Sequence, residues 1–404
     1  MSRGGGCLSL YFFTFAIGCF IFVCMANKTR VIAFYLPQFY PTPENDKWWC
    51  PGFTEWTNVA KARPLFHNHY QPRLPGELGF YDLRLPFVRE QQAKLARIAG
   101  IEGFCYWHYW FGNGKRLLDR VFHEVVESGS PDFPFCLCWA NHSWYSKTWN
   151  KTKQDVLLIE QTYPGVDDYV RHFNEMLPAF KDRRYIRVNG KLLFGIFAPF
   201  DIPDAQLFMD TWNRLAHEND LVGFEFFAFV QGDDYLKKMG SAKFDRIVYD
   251  AFRDVDAENK SSLYNKTIGS RKKHWFNIPL TIDYDFYTDR ALRLFQQHPE
   301  FTPCIDPDFD HTPRSGAGWV AMKNSTPQKW GAFCAKIDEL LKNRADDILF
   351  VKAWNEWGEG NYLEPDQNME GDILMKWLKC LTILTSKHVP TKYFKKTVYE
   401  ECCL

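Results

Sequence analysis

Residues 348–360 have the sequence Ile-Leu-Phe-Val-Lys-Ala-Trp-Asn-Glu-Trp-Gly-Glu-Gly, in which a short apolar run leads directly into amide, carboxylate and tryptophan side chains. A short apolar run with β-branched residues predicts a buried strand, because such residues pack well on a pleated sheet. Seven other runs of this kind occur along the chain. The eight predicted strands are Arg30 to Leu36, Glu102 to Trp107, Phe133 to Trp139, Lys191 to Phe197, Gly223 to Phe229, Arg246 to Asp250, Phe301 to Asp306 and Ile348 to Trp354.

Segments with the 3.6-residue period of an amphipathic helix separate many of these strands, for example residues 166–180 and 330–341. Strands that alternate with helices predict an α/β fold of the (β/α)8 TIM-barrel type, with a doubly wound open sheet as the alternative. Residues 251–285 show no clean helical period, and we expect long loops there. The first strand-to-helix connection, Pro37 to about Leu83, is far longer than usual, and long connections of this kind are usually functional.

The chain of 404 residues has room for one large catalytic domain, predicted at residues 30–386 and followed by a peripheral tail at 387–404. Residues 1–29 are predicted to be a signal anchor, because Cys7 to Ala26 is an uncharged apolar run about as long as one membrane span. A cleaved signal peptide is the alternative. We expect the barrel in the secretory pathway, held to an ER or Golgi membrane and facing the lumen, or else secreted. Six Asn-X-Ser/Thr sequons are compatible with this location.

The composition narrows the class of partner. The formal net charge is +0 and no basic stripe occurs, which disfavours nucleic acid. Aromatic residues make up 17% of the chain, more than a core requires, and flat rings of this kind suit the stacking of sugars. Cys136 and Cys138 are expected on one face of a strand in the core rather than in a zinc site. Disulfides remain open among Cys50, Cys105, Cys304, Cys334 and Cys380.

Catalytic groups of (β/α)8 barrels stand at the carboxyl ends of the strands, so the residues at those positions predict the site. They are amides, imidazoles and carboxylates interleaved with Trp and Tyr, a combination typical of a sugar-binding cleft with flat walls. We therefore expect a glycan as the substrate. The predicted substrate-binding residues at the strand ends are Tyr35, Gln38, Trp107, His108, Trp139, Asn141, Asn355 and Trp357.

Glu356 and Glu359 are the predicted catalytic residues, because glycosidic-bond chemistry needs two carboxyl groups in different protonation states. Their spacing in a turn can bring the two side chains to within roughly 5–6 Å of each other. Mutual repulsion, together with burial beneath Trp354 and Trp357, is expected to raise one pKa and so to place an acid beside a base. Two carboxylates in a solvated loop are the alternative.

A further polar block follows the seventh predicted strand and extends from Asp306 to Arg314. Asp310 and Arg314 are predicted to bind sugar hydroxyls or to pair with each other. A divalent cation held by Asp306, Asp308 and Asp310 is disfavoured, because the glycine and the distal glutamate of a calcium loop are missing. We therefore expect no metal and no cofactor, and a nucleotide sugar as the donor substrate only if the enzyme is a transferase.

Five separated blocks of the sequence are Tyr35 to Phe39, Phe53 to Val59, His69 to Pro72, Leu78 to Arg84 and Trp354 to Gly360. These blocks resemble the hallmark motifs of the WbsX-type glycosyltransferase family, which is related to the glycoside hydrolase family of endo-α-mannosidases. The similarity extends from about residue 30 to about residue 385. The resemblance implies that Glu356 is the base that draws the sugar 2-hydroxyl onto the anomeric carbon, and that Glu359 is the general acid and base. The mannosidases have His at the position of Gly358.

Three functions remain open on this basis. The first is a WbsX-like glycosyltransferase with a paired-Glu site, which the resemblance and the predicted anchor favour. The second is a retaining, endo-acting glycoside hydrolase or transglycosylase of the mannosidase type, favoured by the two carboxylates and by the lack of a Gly-rich phosphate loop. The third is an inactive glycan-binding barrel, against which the intact Glu pair argues.

Overall fold

The structure is a computed structural model that describes residues 29–146, 155–232, 243–342, 344 and 348–367. The apolar run of the predicted signal anchor and the predicted tail at 387–404 both lie outside these residues. Among the helices of the described residues, none is long and apolar enough to span a membrane. The anchor and its membrane partner therefore stay predictions.

Eight parallel strands form a closed barrel at the centre of the fold. In chain order they are β1 Arg30–Tyr35, β2 Gly103–His108, β3 Phe135–Trp139, β4 Lys191–Ile196, β5 Phe224–Gln231, β6 Arg246–Asp250, β7 Phe301–Ile305 and β8 Ile348–Val351.

Neighbouring strands pair in the order β3-β2-β1-β8-β7-β6-β5-β4, and β3 also pairs with β4. In that last pairing Leu137 lies opposite Phe194, and Trp139 lies opposite Ile196. The pairing joins the two ends of the sheet, so no edge of the barrel remains open. The TIM-barrel prediction is confirmed, and the open sheet is excluded.

Helices surround the barrel, and short strands lie in the connections between its elements. The helices are α1 Pro43–Trp48, α2 Glu55–Lys61, α3 Pro86–Ile98, α4 Arg120–Ser128, α5 Val166–Lys181, α6 Ala205–Glu218, α7 Phe252–Ser261, α8 Ser270–Phe276, α9 Tyr284–Gln297, α10 Thr312–Ser315 and α11 Pro327–Lys342. The short strands pair Trp144–Tyr145 with Leu157–Ile159, Arg187–Val188 with β4, Leu280–Asp283 with Val320–Lys323, and Asn355–Glu356 with Asn361–Tyr362. Single turns of π-helix and 3₁₀-helix occupy Asn265–Gly269, Gly316–Gly318 and Trp357–Glu359.

The prediction of long loops at residues 251–285 is wrong, because this segment contains α7, a π-helical turn, α8 and a short strand. Helical period is visible in a sequence only where one helix face is buried. In α7 only Phe252, Val255 and Asp256 are buried, and in α8 no residue is. These helices therefore carry no apolar stripe that the sequence could reveal.

Aromatic rings from different strands fill the barrel interior. The Phe34 ring stacks on Trp107 with centroids 4.5 Å apart, and it meets the edge of Phe229 at 5.2 Å. Gly195 of β4 lies beside Phe227 in the sheet, and a Cβ atom at position 195 would overlap the Phe227 ring. Glycine at this position is therefore a requirement of packing inside the barrel.

The six cysteines of the described residues are free thiols. Cys136 and Cys138 are buried in β3, as expected for core residues. The disulfides left open above do not form among Cys50, Cys105, Cys304 and Cys334, whereas Cys380 lies outside the described residues.

Replacing Gly195 tests the packing of the barrel. We expect Gly195→Ala to lower the free energy of unfolding by about 1–3 kcal/mol, because the added methyl group overpacks the Phe227 ring. Gly318→Ala is the matched control, since its Cβ would meet only ordinary contacts with Ser315 at 3.5 Å and beyond. Denaturant unfolding measures both. Equal stability of the two variants would contradict this account of the interior.

Candidate active site

A cleft of about 410 Å³ opens at the carboxyl-terminal end of the barrel. Its lining includes at least one residue at or shortly after the end of every barrel strand, which is where barrel enzymes carry their catalytic groups. In strand order, these residues are Leu36, Trp107, Ala140, Phe197, Gln231, Phe252, Phe309 and Lys352.

Three glutamates converge on one arginine in this cleft. Arg314 Nη1 lies 2.6 Å from Glu359 Oε1, and Nη2 lies 2.5 Å from Glu356 Oε1. Arg314 Nη2 also lies 3.1 Å from Oε2 of Glu55, a fully buried carboxylate. Arg314 belongs to α10, Glu55 begins α2, and the other two glutamates follow β8. The arginine therefore joins three distant parts of the sequence at the mouth of the barrel.

The two predicted catalytic carboxyl groups differ in their proton affinity. Burial, with the charges of Glu359 and Glu55 nearby, raises the pKa of Glu356 to about 8, although Arg314 opposes this shift. Burial also acts to raise the pKa of Glu359, but the positive charges of Arg314 and Lys352 outweigh it and lower that pKa. Burial therefore favours the protonated form of Glu356, whereas the nearby positive charges favour the ionised form of Glu359, so the two groups differ as an acid and a base do.

Gly358 lies between Glu356 and Glu359 in the chain, and its lack of a side chain leaves space for Glu55. A Cβ atom at this position would overlap Glu55 Oε2 and would approach Arg314 Nε to 2.7 Å. The space into which any side chain at position 358 would project is thus filled by the pair of Glu55 and Arg314. This explains why the chain has glycine here, where the mannosidases named above have histidine.

Five of the predicted site residues line the cleft: Gln38, Trp107, Arg314, Glu356 and Glu359. Gln38 comes from the long first connection, and Trp107 comes from the inward face of β2. The turn after β8 brings the side chains of Glu356 and Glu359 to the same guanidinium.

Tyr35 and His108 lie at strand ends but face away from the cleft. The Tyr35 hydroxyl donates to Gln92 Oε1 at 2.8 Å, and His108 Nε2 lies 2.7 Å from His172 Nε2. Burial lowers the pKa of His108 to about 3, so this pair is neutral. Successive side chains of a strand point to opposite faces, and these two point toward the outer helices. The prediction that they bind substrate is corrected.

Trp139 and Asn141 are likewise structural. Trp139 Nε1 donates to the Trp110 carbonyl oxygen at 2.9 Å, and the indole is buried. The Asn141 side chain donates to the carbonyl oxygen of Ala198 at 2.7 Å and accepts from its N–H at 2.8 Å. Asn141 therefore links the ends of β3 and β4, and its side chain is fully buried.

Asn355 and Trp357 hold the backbone around Glu356 rather than the substrate. Asn355 Oδ1 accepts from the Leu36 N–H at 2.7 Å, and its Nδ2 donates to the Leu36 carbonyl at 3.0 Å. Trp357 Nε1 donates to Glu364 Oε2 at 2.7 Å, and its ring is buried. Neither residue lines the cleft, and the prediction that they bind substrate is corrected: both support the loop that carries Glu356 and Glu359.

Asp310 is buried and is held by residues of the first connection. Its Oδ2 accepts from Gln71 Nε2 at 2.6 Å and lies 2.8 Å from His69 Nε2. Burial acts to raise the pKa of Asp310, but the bonds from His69 and the charge of Arg73 outweigh it and lower the pKa to about 2. The prediction that Asp310 binds substrate is corrected, because its carboxylate is buried and forms ion pairs with His69 and Arg73.

The aspartates of this block do not form a metal site. Asp306 accepts from Tyr287 and Asn361, whereas Asp308 pairs with Arg73 at 2.9 Å. Within the part of the chain that the structure describes, no three His, Cys, Asp or Glu side chains are grouped to hold a metal ion.

Several cleft residues were missed by the reasoning from sequence. Glu55 belongs to one of the five distinctive blocks, but its sequence environment gives no sign that the chain buries it beside Arg314. The aromatic crowding of the first connection does signal a wall of the cleft, which includes Trp48 and Trp49. Other lining residues that were not predicted include Tyr109, His142, Trp144, Arg253, His311, Trp319 and Lys352.

Comparison with known proteins finds a family that matches most of the chain. The model of the family "Glycosyltransferase WbsX" matches residues 31–377. The protein WxcX of Xanthomonas campestris pv. campestris, an uncharacterized protein, is 35% identical over 349 residues, which are 84% of this chain and 48% of the relative. The chain thus spans about half the length of the curated relatives that it matches.

Solved structures share the fold. A glycoside hydrolase-like protein matches with a TM-score of 0.58 and 12% identity, over 89% of this chain and 94% of the other. The GH99 endo-alpha-mannosidase of Bacteroides thetaiotaomicron matches with a TM-score of 0.50 and 13% identity, over 89% of this chain and 99% of the other. At such identities the likeness establishes the barrel fold alone.

The raised pKa of Glu356 predicts a pH-dependent stability. A carboxyl group whose folded-state pKa is raised stabilises the fold at low pH, and this stability is lost as pH rises from the ordinary value of 4.5 through about 8. Glu356→Gln cannot ionise and is expected to escape this loss. The melting temperature of this variant, relative to that of the unaltered protein, should therefore rise from roughly pH 5 to pH 9, a range that covers the ordinary and the raised pKa.

Glu359→Gln is the matched control, because the pKa of Glu359 is lowered and its ionised form stabilises the fold above the ordinary range. That variant should lose melting temperature relative to the unaltered protein at neutral pH. Parallel curves for all three proteins would contradict the opposed proton affinities of the pair.

Proposed function

The chain belongs to the glycosyltransferase WbsX family, and from this membership and the cleft we propose that it is an enzyme that breaks a glycosidic bond of a glycan and passes the released glycosyl group to an acceptor hydroxyl. The observation that carries the proposal is the pair of Glu356 and Glu359, which share one arginine in an aromatic cleft at the carboxyl ends of the strands and whose pKa values are shifted in opposite directions. Two carboxyl groups that differ in this way are what glycosidic-bond chemistry requires.

The charges around the pair suggest how the two roles are divided. The raised pKa of Glu356 favours its protonated form, which can donate a proton to the oxygen of the departing group. Glu359 is ionised and can accept the proton of an attacking hydroxyl, or attack the anomeric carbon itself. This division reverses the roles that the resemblance to the mannosidases implies.

Aromatic side chains in the lining supply the surfaces against which sugar rings can pack. Trp48, Trp49, Trp144 and Trp319 all line the cleft, next to polar groups that can hold hydroxyls. Such a combination of apolar walls and a few polar groups is the usual composition of a small-molecule site.

A retaining, endo-acting hydrolase is the second candidate. The observation that favours it is the same carboxylate pair, since water can replace the acceptor hydroxyl without any other change in the site. An inactive glycan-binding barrel is disfavoured, because grouping three glutamate side chains around one largely buried arginine is costly and has no evident use in binding alone.

Incubation of the enzyme with labelled oligosaccharides, with and without nucleotide sugars, separates these functions. We expect the label to move to a second oligosaccharide without any nucleotide sugar, because the carboxylate pair can activate a glycan donor directly. Release of free sugar into water selects the hydrolase. A strict requirement for a nucleotide sugar would overturn the proposed donor, and a double variant with Gln at 356 and 359 controls for contaminating activity.

The leaving group of the substrate identifies the proton donor. If Glu356 is the acid, Glu356→Gln should lose about 10²- to 10⁴-fold in rate on a sugar leaving group and recover with an activated aryl group, which needs no proton. Glu359→Gln should stay slow on both substrates. The opposite pattern would assign the roles as the resemblance implies, and unaltered turnover of both variants would remove the pair from the active site.

A further inference from the structure

The helical segment between β6 and β7 exposes an unusual cluster of large apolar side chains. Leu263 is 79% exposed, Trp275 is 70% exposed and Phe276 is 69% exposed. Tyr264 and Ile268 complete the cluster and are also exposed. Monomeric proteins rarely expose a contiguous patch of large apolar residues, and such patches usually mark an interaction site. We call these five residues the apolar patch.

The same segment is strongly basic in a chain that has no net charge. Between Asn259 and Ile282 there is no acidic residue, whereas the basic residues there are Lys260, Lys266, Arg271, Lys272 and Lys273. Lys266, Arg271 and Lys272 are exposed among the residues of the apolar patch. The patch therefore combines aromatic and aliphatic side chains with a concentrated positive charge.

Buried side chains and hydrogen bonds hold this segment against the rest of the fold, so the apolar patch lies on an ordered surface. At its base Phe252 and Val255 are buried in α7. At its middle the buried Asn265 donates from Nδ2 to the Asn259 carbonyl at 2.8 Å. Near its end Lys273 Nζ donates to the Gly318 carbonyl at 3.0 Å.

We propose that the apolar patch and its basic residues dock the barrel onto the surface of an anionic lipid bilayer. Trp, Phe and Leu that project beside Lys and Arg are the combination by which proteins lie on a membrane interface. Anionic headgroups attract each basic residue near the surface, and this complements a segment without acidic residues. A protein partner is less well matched, because lysine is depleted in protein–protein interfaces.

Docking by this surface would place the cleft beside the membrane. Phe252, Arg253 and Asp256 of α7 line the cleft, and the patch follows them within the same helical segment. A glycan that is attached to a membrane component would therefore be within reach of the site. The docking proposal does not depend on the reaction that the cleft performs.

Hydrogen–deuterium exchange on the full chain tests the proposal. The protein is exposed to vesicles of phosphatidylcholine alone, and to vesicles of phosphatidylcholine mixed with phosphatidylserine. We expect exchange in residues 260–277 to slow several-fold only with the anionic vesicles, because docking shields the backbone of this segment. Localised exchange reports on the patch even if another part of the chain also holds the protein to the membrane.

Charge reversal should abolish this protection. Each basic residue near an anionic surface contributes about fivefold to binding, so Arg271→Glu with Lys272→Glu should shift the docking equilibrium by about 30-fold or more. Trp275→Ser with Phe276→Ser should also remove it. Leu85→Ser with Phe87→Ser is the matched control, since these residues are comparably exposed elsewhere on the surface, at 56% and 64%.

Three outcomes would overturn the proposal. The first is the absence of protection on anionic vesicles, and the second is equal protection in the charge-reversed variant. The third is protection that increases with protein concentration without vesicles, which would show that the patch contacts a second copy of the chain. Activity of these variants on a soluble glycan should stay at the level of the unaltered protein, which separates this proposal from the proposed function.

Discussion

A single guanidinium group, that of Arg314, contacts three glutamate side chains at the mouth of the barrel, and the geometry of the site depends on this interaction. Glu55, Glu356 and Arg314 are almost fully withdrawn from water. Removing one partner from a buried ion pair costs about 3–5 kcal/mol, because the remaining charge is left without compensation. The first connection, α10 and the turn after β8 are therefore held in one arrangement.

The surrounding structure supports that arrangement from several directions. Asn355 bonds both backbone groups of Leu36 and so fixes the strand end next to Glu356. The buried Asp310 draws His69 and Gln71 of the first connection toward the rim. Gly358 leaves the space that Glu55 and Arg314 fill. Several of the polar residues at the rim thus fix the position of the glutamates, and other polar residues line the cleft itself.

The two catalytic candidates share this arginine, so the difference between their pKa values arises from their other surroundings. Both carboxylates contact Arg314, yet Glu359 is in addition within 3.9 Å of Lys352 Nζ, whereas Glu356 is the more buried of the two. A positive neighbour favours the ionised form, and burial disfavours it. The difference between the two pKa values depends on Lys352, which lies just after β8. The spacing of the two glutamates in the sequence does not predict this difference.

The sequence by itself determined the fold and the identity of the central pair. The eight apolar runs predicted the eight strands to within a few residues, because a buried parallel strand needs a continuous apolar run whatever its neighbours are. The sequence also placed Glu356 and Glu359 at a strand end among aromatic residues. Only the tertiary structure decided which side of each strand end faces the cleft, so Trp107 lines it while His108 does not. Only the tertiary structure brought Glu55 to Arg314, since ion pairs between residues 259 positions apart leave no local pattern in the sequence.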